Sequence, residues 1–163
     1  MFSLQLLSLA RDVVKVCEVN KFCLSTAESC TGGLIAGCIT EIPGASDILH
    51  YGLVTYANEA KINLLGVKKD VLLQFGAVSE EVSKQMAEGA LALSNADISV
   101  SVTGIAGPDG GTKKKPVGLV HFSIARKNKN TFHDCELFEG NRSEIRMQTV
   151  EQALKLIIKT IND

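Results

Sequence analysis

Residues 26–33 read Thr26-Ala27-Glu28-Ser29-Cys30-Thr31-Gly32-Gly33 and predict the point at which a strand turns into a helix. The segment before them, 21–25, is short, apolar and partly alternating, as in a strand, whereas 34–39 continues like the buried face of a helix. Ser29 is therefore expected at the carboxyl edge of the strand, where unpaired helix N–H groups can bind a carboxylate, a phosphate or an oxyanion. Serine is also a common helix cap, so capping and catalysis are both open interpretations of Ser29.

Helical and strand-like patterns alternate along the rest of the chain. They predict helices over 2–19, 59–65, 69–75, 80–93 and 143–161, strands over 51–56, 97–103, 117–125 and 131–138, and a loop over 42–46. Asn58 and Ser79 are the predicted caps of the helices that follow them. This alternation predicts an α/β fold: a single three-layer α/β/α domain over residues 1–163 with a mixed central sheet.

Charge and cysteine content exclude several classes of partner and site. With 17 basic and 18 acidic residues, the net charge is −1, so no overall field attracts the chain to nucleic acid or to an anionic membrane. The five cysteines are an odd number without a C-x-x-C pair, which predicts reduced thiols in the cytoplasm. The amphipathic pattern over 2–19 is not that of a signal peptide, and no window approaches the roughly 20 apolar residues of a spanning helix. The histidines lack zinc-site spacing, so we expect no metal.

Residues 51–61 contain candidate partners for a serine nucleophile. Lys61 falls in the first turn of a predicted helix, where the positive end of the helix disfavours a charged amine. A neutral lysine can take the proton of Ser29, and Tyr56 can relay or orient that proton. In the alternative interpretation, Lys61 is a solvated surface charge and Tyr56 is an inward-facing strand aromatic.

Cys30 and two further segments are open to a functional and a structural interpretation. Cys30 is either a nucleophile activated by the helix start or a small core residue. The glycine-rich stretch 103–108 follows a predicted strand, and Arg142 stands at a predicted helix start; together they can bind phosphate, or the stretch is only a tight turn. The run Lys113-Lys114-Lys115 is predicted to be a solvated loop.

Six stretches of the chain, taken in order, resemble the signatures of the CinA C-terminal domain family. They are 26–33, 51–61, Gly76-Ala-Val-Ser79, Val102-Thr-Gly-Ile-Ala-Gly-Pro108, Lys115-Pro-Val-Gly118 and Gly140-Asn-Arg142. The resemblance covers nearly the whole chain and implies a nicotinamide-nucleotide amidase. Such an enzyme hydrolyses nicotinamide mononucleotide to nicotinic acid mononucleotide and ammonia in pyridine-nucleotide recycling. The resemblance also implies a homo-oligomer. Within the family, the chain resembles the amidases that consist of this domain alone.

The resemblance implies catalytic roles for Ser29, Tyr56 and Lys61, and no metal or cofactor. The expected substrate-binding residues are Cys30, Thr31, Gly32, Gly33, Thr103, Gly104, Ala106, Gly107 and Arg142, with N–H groups near Cys30 to Gly32 holding the oxyanion. The sequence departs from the family pattern at Asn141, where aspartate is common, and in the lysine run 113–115, where an acidic residue is more usual before the lysine. A Cys30-dependent hydrolase and a non-catalytic module that binds a nucleotide or a partner are the alternative functions.

Overall fold

A computed structural model describes residues 2–163. Its helices are α1 (Leu4–Asn20), α2 (Leu34–Thr40), α3 (Ala45–Ile48), α4 (Asn58–Leu65), α5 (Lys69–Phe75), α6 (Glu80–Ser94) and α7 (Arg142–Asn162). Its strands are β1 (Leu24–Glu28), β2 (Leu49–Val54), β3 (Ile98–Gly104), β4 (Leu119–Arg126) and β5 (Phe132–Leu137). No helix within these residues is long and apolar enough to cross a membrane.

The strands of the described chain form one mixed sheet in the order β2-β1-β3-β4-β5. β1 is parallel to both of its neighbours, β2 and β3, whereas β4 is antiparallel to β3 and β5 is antiparallel to β4. The loops that follow β1, β2 and β3 therefore leave the sheet at the same edge. Because β5 runs in the direction of β3, α7 also begins at that edge.

Helices cover both faces of the sheet. Helices α1, α2, α3 and α7 pack on one face around a core that includes Val13, Ile39 and Leu154. Helices α4, α5 and α6 cover the other face, where Leu65, Val82 and Met86 form a second, smaller core. The predicted three-layer α/β/α fold with a mixed sheet is thus confirmed.

Several predicted boundaries are wrong, for local reasons. The first strand begins at Leu24 instead of residue 21, because Lys21 has a left-handed φ of 55° and ends α1. The predicted loop over 42–46 leads into the short helix α3, and β2 consequently covers 49–54 instead of 51–56. Asn58 is not the cap of α4 but its first residue; extended Ala57 occupies the cap position without a side-chain hydrogen bond.

Candidate active site

Ser29 immediately follows β1 and lies in a turn that precedes α2. Its N–H donates to the carbonyl of Val102 in the neighbouring strand at 3.0 Å, and its own carbonyl accepts from the Gly32 N–H at 3.1 Å. Gly32 and Gly33 have φ values of 62° and 95°, a left-handed conformation that glycine adopts without steric cost. Gly33 caps α2, and Ser29 does not. The capping interpretation of Ser29 is therefore wrong.

Lys61 projects from α4 to Ser29 and is only 1% exposed. Its Nζ lies 3.1 Å from Ser29 Oγ, 2.8 Å from the Thr55 carbonyl oxygen and 3.1 Å from the Tyr56 carbonyl oxygen. The two carbonyls can only accept hydrogen bonds, whereas the serine hydroxyl can also donate. An ammonium would donate to all three oxygens, whereas a neutral amine would donate to the two carbonyls and direct its lone pair at the hydroxyl. The interpretation of Lys61 as a solvated surface charge is wrong.

Burial sets the protonation of both Lys61 and Cys30. Desolvation lowers the pKa of Lys61 below its ordinary value, because the charged ammonium loses its hydration. A Cys30 thiolate would oppose this effect, but burial raises the pKa of the Cys30 thiol to about 12, so the thiol is neutral near pH 7. Cys30 is 5% exposed and belongs to the larger core. The burial and the raised pKa of Cys30 both run against its activation by the helix start.

Tyr56 meets the site through two different groups. Its carbonyl accepts from Lys61, while its hydroxyl accepts from Arg142 Nη2 at 3.1 Å. The side chain is 59% exposed and follows β2, so it is not an inward-facing strand aromatic. Within residues 2–163 no hydrogen bond joins the Tyr56 hydroxyl to Ser29 or Lys61. The contact between Tyr56 and Lys61 is thus made by the main chain.

A cleft of about 210 Å³ opens above Ser29 and Lys61. It is lined by Ser29, Cys30, Tyr56, Asn58, Lys61, Ala77, Val78, Thr103, Gly104, Ala106 and Arg142. Of the predicted binding residues, Thr31, Gly32, Gly33 and Gly107 lie outside this lining, although the Gly107 carbonyl accepts from Arg142 Nη1 at 2.8 Å. In the part of the chain that the structure describes, no group of three or more His, Cys, Asp or Glu side chains is arranged to hold a metal ion.

Glu28 is a site residue that the sequence analysis missed. This fully buried carboxylate accepts from the N–H groups of Gly33, Ile35 and Ala36 at 2.9–3.0 Å. The start of α2 was predicted to offer N–H groups to an external anion, but the chain's own carboxylate binds them. Because its neighbours are small residues, Glu28 resembles an ordinary strand position in the sequence. Its place shortly before Gly32 and Gly33 was the one local indication that its carboxylate could bind the start of a helix.

Lys115 and Arg146 also support the site from outside the cleft. Lys115 Nζ donates to the carbonyls of Phe75 and Val78 at 2.5 and 2.6 Å, which fixes the segment that carries Ala77 and Val78. Lys115 is partly buried, so the prediction of a solvated run is wrong for this lysine. Arg146 donates to the carbonyls of Cys30 and Thr31. Both contacts join segments that are distant in the sequence, which no local pattern could predict.

Several known proteins are similar to this chain in amino-acid sequence and in fold. A family model described as the CinA C-terminal domain matches residues 6–161. A CinA-like protein of Endomicrobium trichonymphae is 56% identical over 138 residues, which are 85% of this chain and 32% of that protein. A putative competence-damage inducible protein of Thermoanaerobacter sp. (strain X514) is 50% identical over 145 residues, 89% of this chain and 35% of that protein. The chain spans about a third of the length of these curated relatives.

Two solved structures share the fold over nearly their whole length. The competence/damage inducible protein CihA from Agrobacterium tumefaciens superposes with a TM-score of 0.96 and 46% identity, covering 100% of this chain and 99% of that one. The competence damage-inducible protein A (ComA) from Klebsiella pneumoniae subsp. pneumoniae MGH 78578 gives 0.93 and 32%, covering 96% and 97%. The names of both proteins refer to competence and damage induction.

Proposed function

The chain belongs to the CinA C-terminal domain family, and from this premise we propose that it hydrolyses the carboxamide of nicotinamide mononucleotide. The products are nicotinic acid mononucleotide and ammonia, as in the recycling of pyridine nucleotides. The observation that carries the proposal is the 3.1 Å contact between Lys61 Nζ and Ser29 Oγ at the floor of a cleft. A hydroxyl beside a buried amine of lowered pKa supports the assignment of Ser29 as nucleophile and Lys61 as its base.

The reaction begins with transfer of the serine proton. Lys61 Nζ accepts the proton of Ser29 while Oγ forms a bond to the carboxamide carbon, and the carbonyl π electrons move to its oxygen. When the C–N bond breaks, the Lys61 ammonium returns the proton to the leaving nitrogen and ammonia departs. Water then attacks the nicotinoyl ester with Lys61 again as base, and the carboxylate product and free Ser29 result. No step uses a metal or a cofactor.

The oxyanion of each tetrahedral intermediate needs N–H donors beside Ser29. Gly32 N–H is already bound to the Ser29 carbonyl, which leaves the N–H groups of Cys30 and Thr31 as our candidates. Mutational losses of about 10²–10³ in kcat are typical when one such donor is removed. Tyr56, in this proposal, orients Lys61 through its carbonyl and borders the substrate with its ring.

The size of the cleft suggests how the substrate is arranged. The cleft volume of about 210 Å³ lies below the ~300–1,000 Å³ usual for whole ligand pockets, which supports a pose with the pyridine carboxamide inside and the rest of the nucleotide outside. The ribose phosphate would extend over the rim, where Thr103, Gly104, Ala106 and the exposed Arg142 are our candidate contacts. We further propose a cytoplasmic location and a homo-oligomeric state; sedimentation of the purified protein tests the oligomeric state, and cell fractionation tests the location.

Ammonia release from nicotinamide mononucleotide tests the function. Wild type should release ammonia and form the acid, and Ser29→Ala should reduce kcat to the uncatalysed background while binding is kept. Full activity in Ser29→Ala would remove the assignment. A thermal shift with nicotinamide mononucleotide but no ammonia from wild type would indicate the non-catalytic binding module instead.

Cys30→Ala separates the serine mechanism from a Cys30-dependent hydrolase. Because the Cys30 thiol is buried and neutral, we expect its removal to leave turnover within a few-fold of wild type. Inactivation by Cys30→Ala in a folded protein, together with inactivation by alkylation, would favour the thiol as nucleophile.

A further inference from the structure

Arg146 binds the main chain of the Ser29 turn from the side of α7. Its Nε donates to the Cys30 carbonyl at 3.1 Å and its Nη2 donates to the Thr31 carbonyl at 2.7 Å. Among the described residues, these two carbonyls accept no other hydrogen bond. Cys30 and Thr31 are buried, so a loss of Arg146 leaves two carbonyl groups without partners.

The negatively charged Glu28 binds the other end of the same turn. The Glu28 carboxylate accepts from N–H groups at the start of α2, among them that of Gly33. Arg146 donates to the carbonyls of Cys30 and Thr31, which precede Gly33 by three and two residues. Between these two contacts, the N–H groups of Cys30 and Thr31 have no oxygen acceptor within residues 2–163. Both N–H groups lie beside the Cys30 sulfur, which is only a weak acceptor as a buried neutral thiol, so they are our candidate donors to an anion beside Ser29.

Peptide geometry links Arg146 to one of these donors directly. The C=O and N–H of a trans peptide unit point in opposite directions, and the Cys30 carbonyl shares its unit with the Thr31 N–H. A guanidinium on that carbonyl therefore fixes the direction of the Thr31 N–H and polarises it as a donor. The Cys30 N–H is directed by the neighbouring unit, whose Ser29 carbonyl is bound by Gly32.

We propose that Arg146 is a positioning residue that holds the turn so that its N–H groups donate to the oxyanion formed at Ser29. The existence of an oxyanion at Ser29 rests on the proposed function, whereas the role of Arg146 rests on its contacts with the turn. Arg142, one helical turn earlier, differs in that it contacts Gly107 and Tyr56 at the cleft. Two arginines of one helix thus have separable roles, substrate contact for Arg142 and orientation of the turn for Arg146.

Arg146→Lys, Arg146→Ala and Arg142→Lys form the matched set of variants. Because a misplacement of about 1 Å can cost 10²-fold, Arg146→Lys should lower kcat about 10- to 100-fold. Its KM and the acidic limb of its pH profile, which reports Lys61, should stay as in wild type. Arg142→Lys should instead raise KM. Millimolar guanidinium chloride should restore part of the activity of Arg146→Ala, and equal sodium chloride should not.

Labelling of Ser29 by diisopropyl fluorophosphate gives a readout that needs no amidase activity. In this step Ser29 Oγ bonds to phosphorus, fluoride leaves, and Lys61 takes the serine proton; the phosphoryl oxygen lies where the oxyanion would. Intact mass should show Arg146→Lys labelled at least tenfold more slowly than wild type. If wild type releases no ammonia but this difference is found, the proposed function fails and the role of Arg146 stands.

Two results would overturn the role of Arg146. One is an Arg146→Lys variant with the kcat and labelling rate of wild type. The other is a loss of activity in both Arg146 variants that follows their loss of thermal stability, with no rescue of Arg146→Ala by guanidinium. Melting temperatures measured on the same samples separate this outcome from a loss of positioning.

Discussion

At the scale of single residues, the protonation of Lys61 decides what the site can do. The amine is buried against two carbonyls and a hydroxyl, and within residues 2–163 Lys61 forms no salt bridge. Burial of a cation without a counterion is costly, which is why the pKa of Lys61 falls. The burial that suits Lys61 to its proposed role as a base also lowers the stability of the folded protein when Lys61 is charged.

The proposed amidase activity should fall with decreasing pH, because in the proposed mechanism Lys61 must be neutral to accept a proton. We expect log kcat/KM to be flat above the lowered pKa of Lys61 and to drop about tenfold per pH unit below it. Ammonia release measured from about pH 5 to about pH 10 gives this profile. Lys61→Arg, which stays charged throughout, should be inactive at every pH; turnover that rises on acidification would contradict the assignment.

The stability of the protein should depend on pH through the same group. Since the pKa of Lys61 is lowered in the folded state from 10.5, the unfolded chain binds more protons between the lowered value and 10.5, and stability rises with pH in this window. Lys61→Met lacks the titrating amine and therefore lacks this contribution to the pH dependence of stability. The melting temperature of wild type minus that of Lys61→Met should therefore be greater at about pH 10.5 than at about pH 6. A constant difference would mean that Lys61 does not lose a proton on folding.

At the scale of elements, periodicity and turn chemistry predicted most helices and strands but not their ends or contacts. Ser79 caps α6 as expected, with its Oγ accepting from the Val82 N–H at 3.3 Å. The sequence predicts this cap because both partners lie within three residues of each other. The candidates Ser29 and Lys61 followed from residue type and from resemblance to a family. Glu28, Lys115 and Arg146 did not, because their partners depend on how the strands are ordered and how the loops return.

The capping box of α7 explains how the chain tolerates asparagine at position 141. Asn141 Oδ1 accepts from the N–H groups of Ser143 and Glu144, and Glu144 Oε2 accepts from the Asn141 N–H at 2.7 Å. Aspartate offers the same oxygen. The departure from the family pattern thus keeps the cap that places Arg142 at the first turn.

Variants at Asn141 test this interpretation. Asn141→Asp should keep both activity and melting temperature, since the acceptor is retained and a negative charge is favourable at a helix start. Asn141→Ala should lose about 1 kcal/mol, or about 2–4 °C in melting temperature for a domain of this size. Thermal unfolding and ammonia release on the same preparations provide the measurements. Equal stability of all three proteins would contradict the cap.

At the scale of the whole molecule, strand order brings together segments that lie far apart in the sequence. The parallel strands β2, β1 and β3 direct Tyr56, Ser29 and the 103–108 loop to one edge of the sheet, and β5 returns α7 to the same edge. Carboxyl ends of neighbouring parallel strands are the usual place for a site in α/β proteins. Lys61, however, reaches Ser29 from α4, so the distance between Lys61 Nζ and Ser29 Oγ depends on how α4 packs on α6.

Gly89 of α6 sets that packing. A Cβ at this position would lie 1.9 Å from the Leu65 carbonyl oxygen of α4, so Gly89→Ala must push the helices apart. We expect a loss of about 1–3 kcal/mol and, because α4 carries Lys61, a fall in kcat beyond that explained by unfolded protein. Gly37→Ala in α2 is the control: its Cβ would make an ordinary 3.8 Å contact with Phe2. This control should gain stability from helix propensity. Unchanged kcat in folded Gly89→Ala would show that the Lys61–Ser29 distance does not depend on this helix pair.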